Sequence, residues 1–206
     1  MTKSLWRNDR PLLLASTSKT RLKLLQDISL PVETQGADVD ERSLEIGLQK
    51  DGAEPAQIAL ALARAKAIDV AQKNPGRWIV GADQTLALGA EQFHKPTSIE
   101  GARNHLHRLR GKTHQLHSAI ICLNAGREVF AHVETARLTM RNFGDDFLEA
   151  YLAAIGSAVM QSVGAYQLEG LGIHLFDKVE GDHSTILGLP LLPLLAFFRQ
   201  AGLVEA

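Results

Sequence analysis

Apolar runs of strand length alternate along this chain with stretches of helical period. Leu12-Leu13-Leu14-Ala15 is one such run and Trp78-Ile79-Val80-Gly81-Ala82 another. Short continuous apolar runs of this kind belong to strands covered on both faces. Helical spacing begins at Ser18, with Leu22, Leu24, Leu25 and Ile28 inward, and recurs over residues 55–72, 99–109, 145–154 and 190–201. Further strands are expected near 31–33, over 114–123 and over 128–140, the last two joined by Asn124-Ala125-Gly126-Arg127, a hairpin connection. The alternation predicts an α/β fold. No internal repeat, low-complexity tract or interdomain linker interrupts it.

Both apolar runs end abruptly in polar chemistry. The first enters Ser16-Thr17-Ser18-Lys19-Thr20-Arg21 and the second enters Asp83-Gln84-Thr85. Ligands of open α/β sheets collect outside the carboxyl ends of strands, so two such ends mark a candidate site. The hydroxyls of the first segment precede a helix whose N-terminal amides and partial positive charge suit phosphate. A plain helix cap with a solvated basic face explains the same residues, and aspartates such as Asp83 often end strands by bonding turn amides. What favours chemistry is company: Asp40 and Glu41 in an acidic loop over 37–41, Lys66 alone on the apolar face of the 55–72 helix, Lys95 before Pro96, and Glu169 in a glycine-flanked segment. Carboxylates with lysines suit phosphoryl transfer, where a divalent cation takes oxygen ligands and lysines neutralise charge on leaving phosphates.

Charge narrows the partners. The 206 residues carry 22 Lys+Arg against 23 Asp+Glu, a net charge of −1, so no global field draws nucleic acid or anionic lipid and any anion must be held locally. The single cysteine, Cys122, can form no intrachain disulfide, which fits a reducing compartment. The charged first ten residues hold no signal-length apolar stretch, and nothing approaches the roughly 18 apolar residues of a membrane helix. A cytoplasmic protein without membrane or nucleic-acid partners is expected.

Several short motifs then agree in order. They are Leu-Ala-Ser-Thr-Ser-x-x-Arg-x-x-Leu-Leu from Leu14, Val39-Asp40-Glu41, Leu-Ala-x-x-Lys-Ala from Leu62, Gly81-Ala82-Asp83-Gln84, Lys95-Pro96, Gly111-Lys112-Thr113-His114, Tyr166-Gln167-Leu168-Glu169-Gly170, and Gly188-Leu189-Pro190-Leu191. Together they resemble the Maf-like nucleoside triphosphate pyrophosphatases over nearly the whole chain, which implies a single domain over 1–206. The resemblance implies a two-lobed mixed β-sheet with flanking helices and a nucleotide in the cleft between lobes. It further implies hydrolysis of the α–β phosphoanhydride with Mg²⁺ or Mn²⁺ as the divalent cofactor.

By position, the resemblance makes Asp83 the general base or metal ligand and places Glu41 at the metal. Ser16, Ser18 and Arg21 would hold the phosphate chain, with Lys66 and Lys95 on the triphosphate. Thr20, Gln84 and Glu169 occupy the positions that select the base in this family. Gln84 and Glu169 side with the branch resembling 7-methyl-GTP hydrolases, whereas Thr20 matches neither that branch's aromatic residue nor the basic residue of the pyrimidine-preferring branch. Lys19 also replaces a usual proline. A carboxylate at 169 can accept from a guanine edge or face a methylated purine's charge. The competing expectation is a nucleotide-binding regulator of cell division or septum formation that has lost turnover.

Other constellations read as structural. His114 and His117, three apart on a strand, point to opposite faces, and His105 and His107 diverge on a helix. All eight histidines are expected to be structural or surface groups, with His183 beside Asp182 the best exception. Gly111-Lys112-Thr113 lacks the upstream glycine and strand of a phosphate loop. The apolar run 187–198 reads as a buried closing helix; a homodimer contact through part of it is the second reading, consistent with the resemblance.

Overall fold

An eleven-residue strand organises the fold. In the computed structural model, which describes residues 5–205, the elements run β1 (Leu12–Ala15), α1 (Lys19–Asp27), β2 (Val32–Thr34), α2 (Glu41–Lys50), α3 (Pro55–Lys73), β3 (Trp78–Leu88), β4 (Glu91–Phe93), α4 (Ile99–Leu109), β5 (Thr113–Asn124) and β6 (Arg127–Met140). They continue through α5 (Asp145–Ile155), 3-10 turns at Gly156–Gln161 and Leu171–Leu175, β7 (Phe176–Glu180), α6 (His183–Ile186) and α7 (Leu191–Gln200). Residues 1–4 of the charged N-terminal segment and residue 206 lie outside the described residues. The sheet order is β2-β1-β3-β5-β6-β7, with β4 also on β3. β1 runs parallel to β2 and β3, and every other pairing is antiparallel.

The pairing on β3 is uneven along its two edges. β5 occupies one edge continuously from Trp78 to Ala87. The opposite edge is shared: β1 pairs only with residues 79–81, and β4 only with residues 86–88. Residues 82–85 therefore have no strand beside them on that edge.

Side-chain alternation fixes what each face of β3 meets. Ile79 packs with Leu13 and Ala15 against Ala59, Ala63, Ala67 and Val70 of α3. Val80 and Ala82 pack on the other face with Leu25 of α1 and Leu194 and Phe198 of α7. Toward the far end, Leu86, Leu116 and Leu138 are covered by Leu106 and Leu109 of α4 and by Leu148 and Leu152 of α5. The alanines of α3 allow a close approach, and Gly81 completes it. A Cβ there would lie 2.3 Å from the Ala63 carbonyl oxygen and 2.7 Å from the Ala67 Cβ.

Local signals start most helices as expected. The Ser18 hydroxyl accepts the Arg21 amide at 3.3 Å, Pro55 opens α3 and the Ser98 hydroxyl caps α4. The β5–β6 connection is a two-residue turn with Ala125 at φ 48° and Gly126 at φ 78°, the left-handed pair a tight hairpin requires. Four elements were not expected: α2, β4, β7 and α6. The acidic loop ends at Asp40, whose carboxylate accepts the Ser43 amide and hydroxyl, and α2 follows. Its one buried residue is Glu45, so no apolar stripe announced it. β4 is three residues long with one apolar side chain, and the vacant end of the β3 edge is what orders it.

His114, His117 and His183 follow the structural reading. His114 is buried with its Nε2 2.7 Å from the Tyr166 hydroxyl, and burial pushes its pKa down to about 4, so it stays neutral at physiological pH. His117 pairs with Thr135 across the ladder, and His183 is exposed at the start of α6. Burial pushes the Cys122 thiol up, which leaves it inert. No described helix is long and apolar enough to cross a membrane.

Gly81→Val inserts three carbons where the backbone of α3 lies. The expected outcome is a loss of unfolding free energy of about 3 kcal/mol or more in urea denaturation. Unaltered stability would mean that α3 does not depend on this close approach.

Candidate active site

The open edge of β3 is the floor of a cavity of about 810 Å³. Ser16, Ser18, Thr20, Arg21, Glu41, Lys66, Asp83, Gln84, Lys95 and Glu169 all line it. These ten candidates thus reach one space, although the positions span more than 150 residues of chain; Asp40 does not line it and instead caps α2.

Asp83 points to the α3 side of β3, where Lys66 waits one helical turn beyond Ala63. The Lys66 Nζ lies 2.6 Å from Asp83 Oδ1 and 2.7 Å from Glu41 Oε2. Asp83 and Lys66 are largely withdrawn from solvent, with side chains 11% and 13% exposed, whereas Glu41 at the start of α2 is half exposed. One ammonium therefore bridges two carboxylates brought by different elements. Because Asp83 and Lys66 are largely desolvated, removing one partner would leave an uncompensated charge, so this pairing costs more to break than a surface salt bridge.

Arg21 occupies the open edge itself. Its Nη1 donates to the Ala82 carbonyl at 2.9 Å and its Nε donates to the Gly188 carbonyl at 2.8 Å. The Ser16 hydroxyl lies 3.5 Å from the same Nη1 and also accepts the Ser18 amide at 3.2 Å. Burial lowers the Arg21 pKa, and the charges of Asp83 and Glu41 oppose that shift. The amides of Lys19 and Thr20 in the first turn of α1 have no partner among the described residues. A helix start with free amides, a buried hydroxyl and a fixed guanidinium is suited to phosphate.

Gln84 points the other way. Its Nε2 donates to the Ser118 hydroxyl at 2.8 Å and to the carbonyls of Ile186 at 3.0 Å and Thr185 at 3.2 Å. Its amide nitrogen is thus engaged by the protein. Glu169 and Lys95 are exposed on the rim, and Leu116, Met160, Val163, Leu168, Ile186 and Leu187 give part of the wall an apolar character. The segment that carries Glu169 is tightly wound. A Cβ at Gly164 would meet the Tyr166 ring at 2.2 Å, and one at Gly172 would meet the Gln167 carbonyl oxygen at 2.4 Å.

Sequence reasoning missed Glu45, Gln92 and His94. Glu45 is 5% exposed, accepts from Gln92 Nε2 at 2.5 Å, and pairs with Arg42 at 3.4 Å and His94 at 3.6 Å. It ties α2 to β4, the elements that bring Glu41 and Lys95 to the cavity. The i, i+4 spacing of Glu41 and Glu45 was a readable signal, but only once residues 41–50 are known to be helical.

The lining carries four cations, Lys19, Arg21, Lys66 and Lys95, against four carboxylates, Glu41, Glu45, Asp83 and Glu169. It is formally neutral, so a polyphosphate entering it needs further positive charge. No group of three or more His, Cys, Asp or Glu side chains forms a metal cage among the described residues. The two carboxylates on Lys66 instead fit a hard cation such as Mg²⁺, which takes one or two carboxylates and completes its shell with water and substrate phosphate.

Fold and cavity together define the class: an α/β protein whose mixed sheet opens a strand edge onto converging acids and bases. The Ham1 protein of Staphylococcus aureus shares this fold, with a TM-score of 0.52 over 93% of this chain and 100% of that one at 14% identity. More particularly, the Maf-like protein family model matches residues 11–201, and the chain belongs to that family. A 7-methyl-GTP pyrophosphatase of Mesorhizobium japonicum is 50% identical over 94% of this chain and 98% of its own length. A nucleoside triphosphate pyrophosphatase of Nitrobacter hamburgensis is 49% identical over 98% of this chain and 99% of its own.

Lys66→Met keeps the apolar stem and removes the bridging charge. It should cost on the order of 2–4 kcal/mol of unfolding free energy at neutral pH, since Asp83 is left with a desolvated, unpaired carboxylate. Adding Asp83→Asn should recover part of that loss. Strictly additive destabilisation in the double variant would show that the two side chains are not energetically coupled.

Proposed function

We propose that this chain is a nucleoside triphosphate pyrophosphatase acting at this cavity, releasing a nucleoside monophosphate and pyrophosphate. The observation that carries this reading is the convergence of Asp83, Glu41 and Lys66 beside the phosphate-suited start of α1. The activity named for relatives near 50% identity supports it.

The chemistry follows from what the residues can do. Ser16, Ser18, Arg21 and the free amides of Lys19 and Thr20 hold the phosphate chain against the open strand edge. Asp83 orients a water toward the α-phosphorus and accepts its proton as the water oxygen bonds to phosphorus. The bond from the α-phosphorus to the bridging oxygen breaks, and pyrophosphate departs with the electron pair. Lys66 and Lys95 neutralise charge that grows on the leaving oxygens, where fixed cations count most. Lys66 also holds Asp83 and Glu41 in register. Those two carboxylates would hold the divalent cation, which supplies charge neutralisation and activates water when bound.

A pure nucleotide-binding regulator has no use for carboxylates crowded beside phosphate, so the same lining favours turnover. The discriminating assay measures pyrophosphate release from a nucleotide panel with Mg²⁺, with Mn²⁺ and with chelator. Release that requires the cation supports the enzyme, whereas tight nucleotide binding with no release transfers the reading to the regulator. Asp83→Asn should lower kcat by about 10²-fold or more while nucleotide binding and folding persist. Near-wild-type turnover in that variant would remove Asp83 from the mechanism.

For the base, we infer a preference for purine or methylated purine triphosphates. Glu169 lies on the rim of the same cavity whose wall includes Val163, Leu168 and Leu187, so a ring could rest on apolar side chains with a carboxylate at its edge. The name of the Mesorhizobium relative supports this preference. Glu169→Gln should change the ratio of kcat/KM for 7-methyl-GTP over UTP by about tenfold, a size expected for one charged hydrogen bond. A constant ratio rules out Glu169 as selector.

A further inference from the structure

Beneath the cavity lies a polar network that the proposed reaction does not use. Ser118 of β5 and Thr185 of α6 are both fully buried. The Ser118 hydroxyl donates to the Thr185 carbonyl at 2.7 Å, and the Thr185 hydroxyl donates to Glu134 Oε2 at 2.8 Å. That same Thr185 carbonyl also accepts the Gly188 amide at 3.0 Å. Asp182 accepts the Ser184 and Thr185 amides, which fixes the other end of the turn. Gly188 sits at φ 95°, and its carbonyl accepts Arg21 Nε at 2.8 Å. A Cβ at Gly188 would lie 3.3 Å from that nitrogen.

We propose that Ser118, Thr185 and Glu134 are positioning residues: they clamp the turn from Thr185 to Gly188 to the sheet so that the Gly188 carbonyl orients the Arg21 guanidinium toward a polyphosphate. α6 is a single helical turn; Ile186 and Leu189 anchor the segment in the core and Gln84 holds the Thr185 and Ile186 carbonyls, while the two hydroxyls tie Thr185 itself to β5 and β6. With Nε and Nη1 taken by the Gly188 and Ala82 carbonyls, Arg21 Nη2 has no partner among the described residues and is the donor left for the ligand. Fixing two of a guanidinium's nitrogens restricts its plane and so reduces the ordering left to pay for when an anion binds. The Ser118 hydroxyl also accepts from Gln84 Nε2 at 2.8 Å, whereas the Thr185 hydroxyl donates to Glu134, so Thr185→Val is the change whose effect falls on the phosphate chain and is blind to the base.

This rests on the reading of Arg21 as a phosphate ligand, and the experiment separates the two. Inorganic tripolyphosphate, which has no base, is titrated calorimetrically into the wild type, Thr185→Val, Ser118→Ala, Arg21→Ala and the Thr185→Val/Arg21→Ala pair. Thr185→Val and Ser118→Ala should each weaken binding by about 5- to 10-fold, the size of one hydrogen bond. In Thr185→Val, KM for every nucleoside triphosphate should rise by the same factor. In the Arg21→Ala background, Thr185→Val should have less than about twofold further effect, because the group it acts through is gone. If Thr185→Val does not fold, Ser118→Ala takes its place in the cycle, since its hydroxyl holds the same Thr185 carbonyl. Independent, multiplicative losses in the double variant overturn the proposal, as do losses confined to one base. Failure of the wild type to bind tripolyphosphate overturns the phosphate-ligand reading as well.

Discussion

Two strands share one edge of β3 and neither covers its middle. β1 leaves after its pairing with Gly81 and β4 arrives only at Leu86, so residues 82–85 keep an unpaired edge inside the protein. An uncovered strand edge in a folded interior must find other partners for its backbone. Arg21 supplies one of them at the Ala82 carbonyl, and that obligation brings a cation to a place otherwise lined by the Asp83 side chain. The alternation of the strand then sends Asp83 toward α3 and Gln84 toward α6. From this one gap come the cavity, its charges and its two-sided support.

The acids and bases are held by different devices on the two faces. On the α3 side, the alanines of the helix and the absence of a side chain at Gly81 allow α3 to approach, which brings Lys66 onto Asp83. On the α6 side, hydrogen bonds from buried hydroxyls and the Gln84 amide hold a short turn whose Ile186 and Leu189 also pack into the core. Packing positions the residues proposed for chemistry, and hydrogen bonding positions the proposed phosphate ligand. A lining with equal formal charges of both signs offers a polyphosphate no net attraction, and that is the role the proposed divalent cation would fill.

The sequence was legible wherever a residue's role follows from its own neighbours. The runs at 12–15 and 78–85 announced strands and their polar ends, Ser18 announced a helix start, and Asn124-Ala125-Gly126-Arg127 announced a hairpin. Local patterning missed α2, because its buried residue is a glutamate and its apolar residues Leu44, Ile46 and Leu48 form no buried stripe. It also missed β4, which is ordered by the vacant edge of a distant strand. The ten candidate residues were found from their chemical types and motifs, yet the partners that hold them, Glu45, Gln92, Ser118, Thr185 and Glu134, carried no signal of their own.

What the chain alone determined was the α/β alternation, the strand-end chemistry at Ser16 and Asp83, and membership of a nucleotide-handling family through ordered motifs. Those features are local, since periodicity and short spacings are set by backbone geometry within a few residues. What only the tertiary structure decided was which side of β3 each side chain meets, that Lys66 bridges Asp83 and Glu41, and that Gln84 engages the protein on the opposite face. Such facts depend on strand register and helix approach, which bring together residues tens to more than a hundred positions apart and which no local pattern encodes.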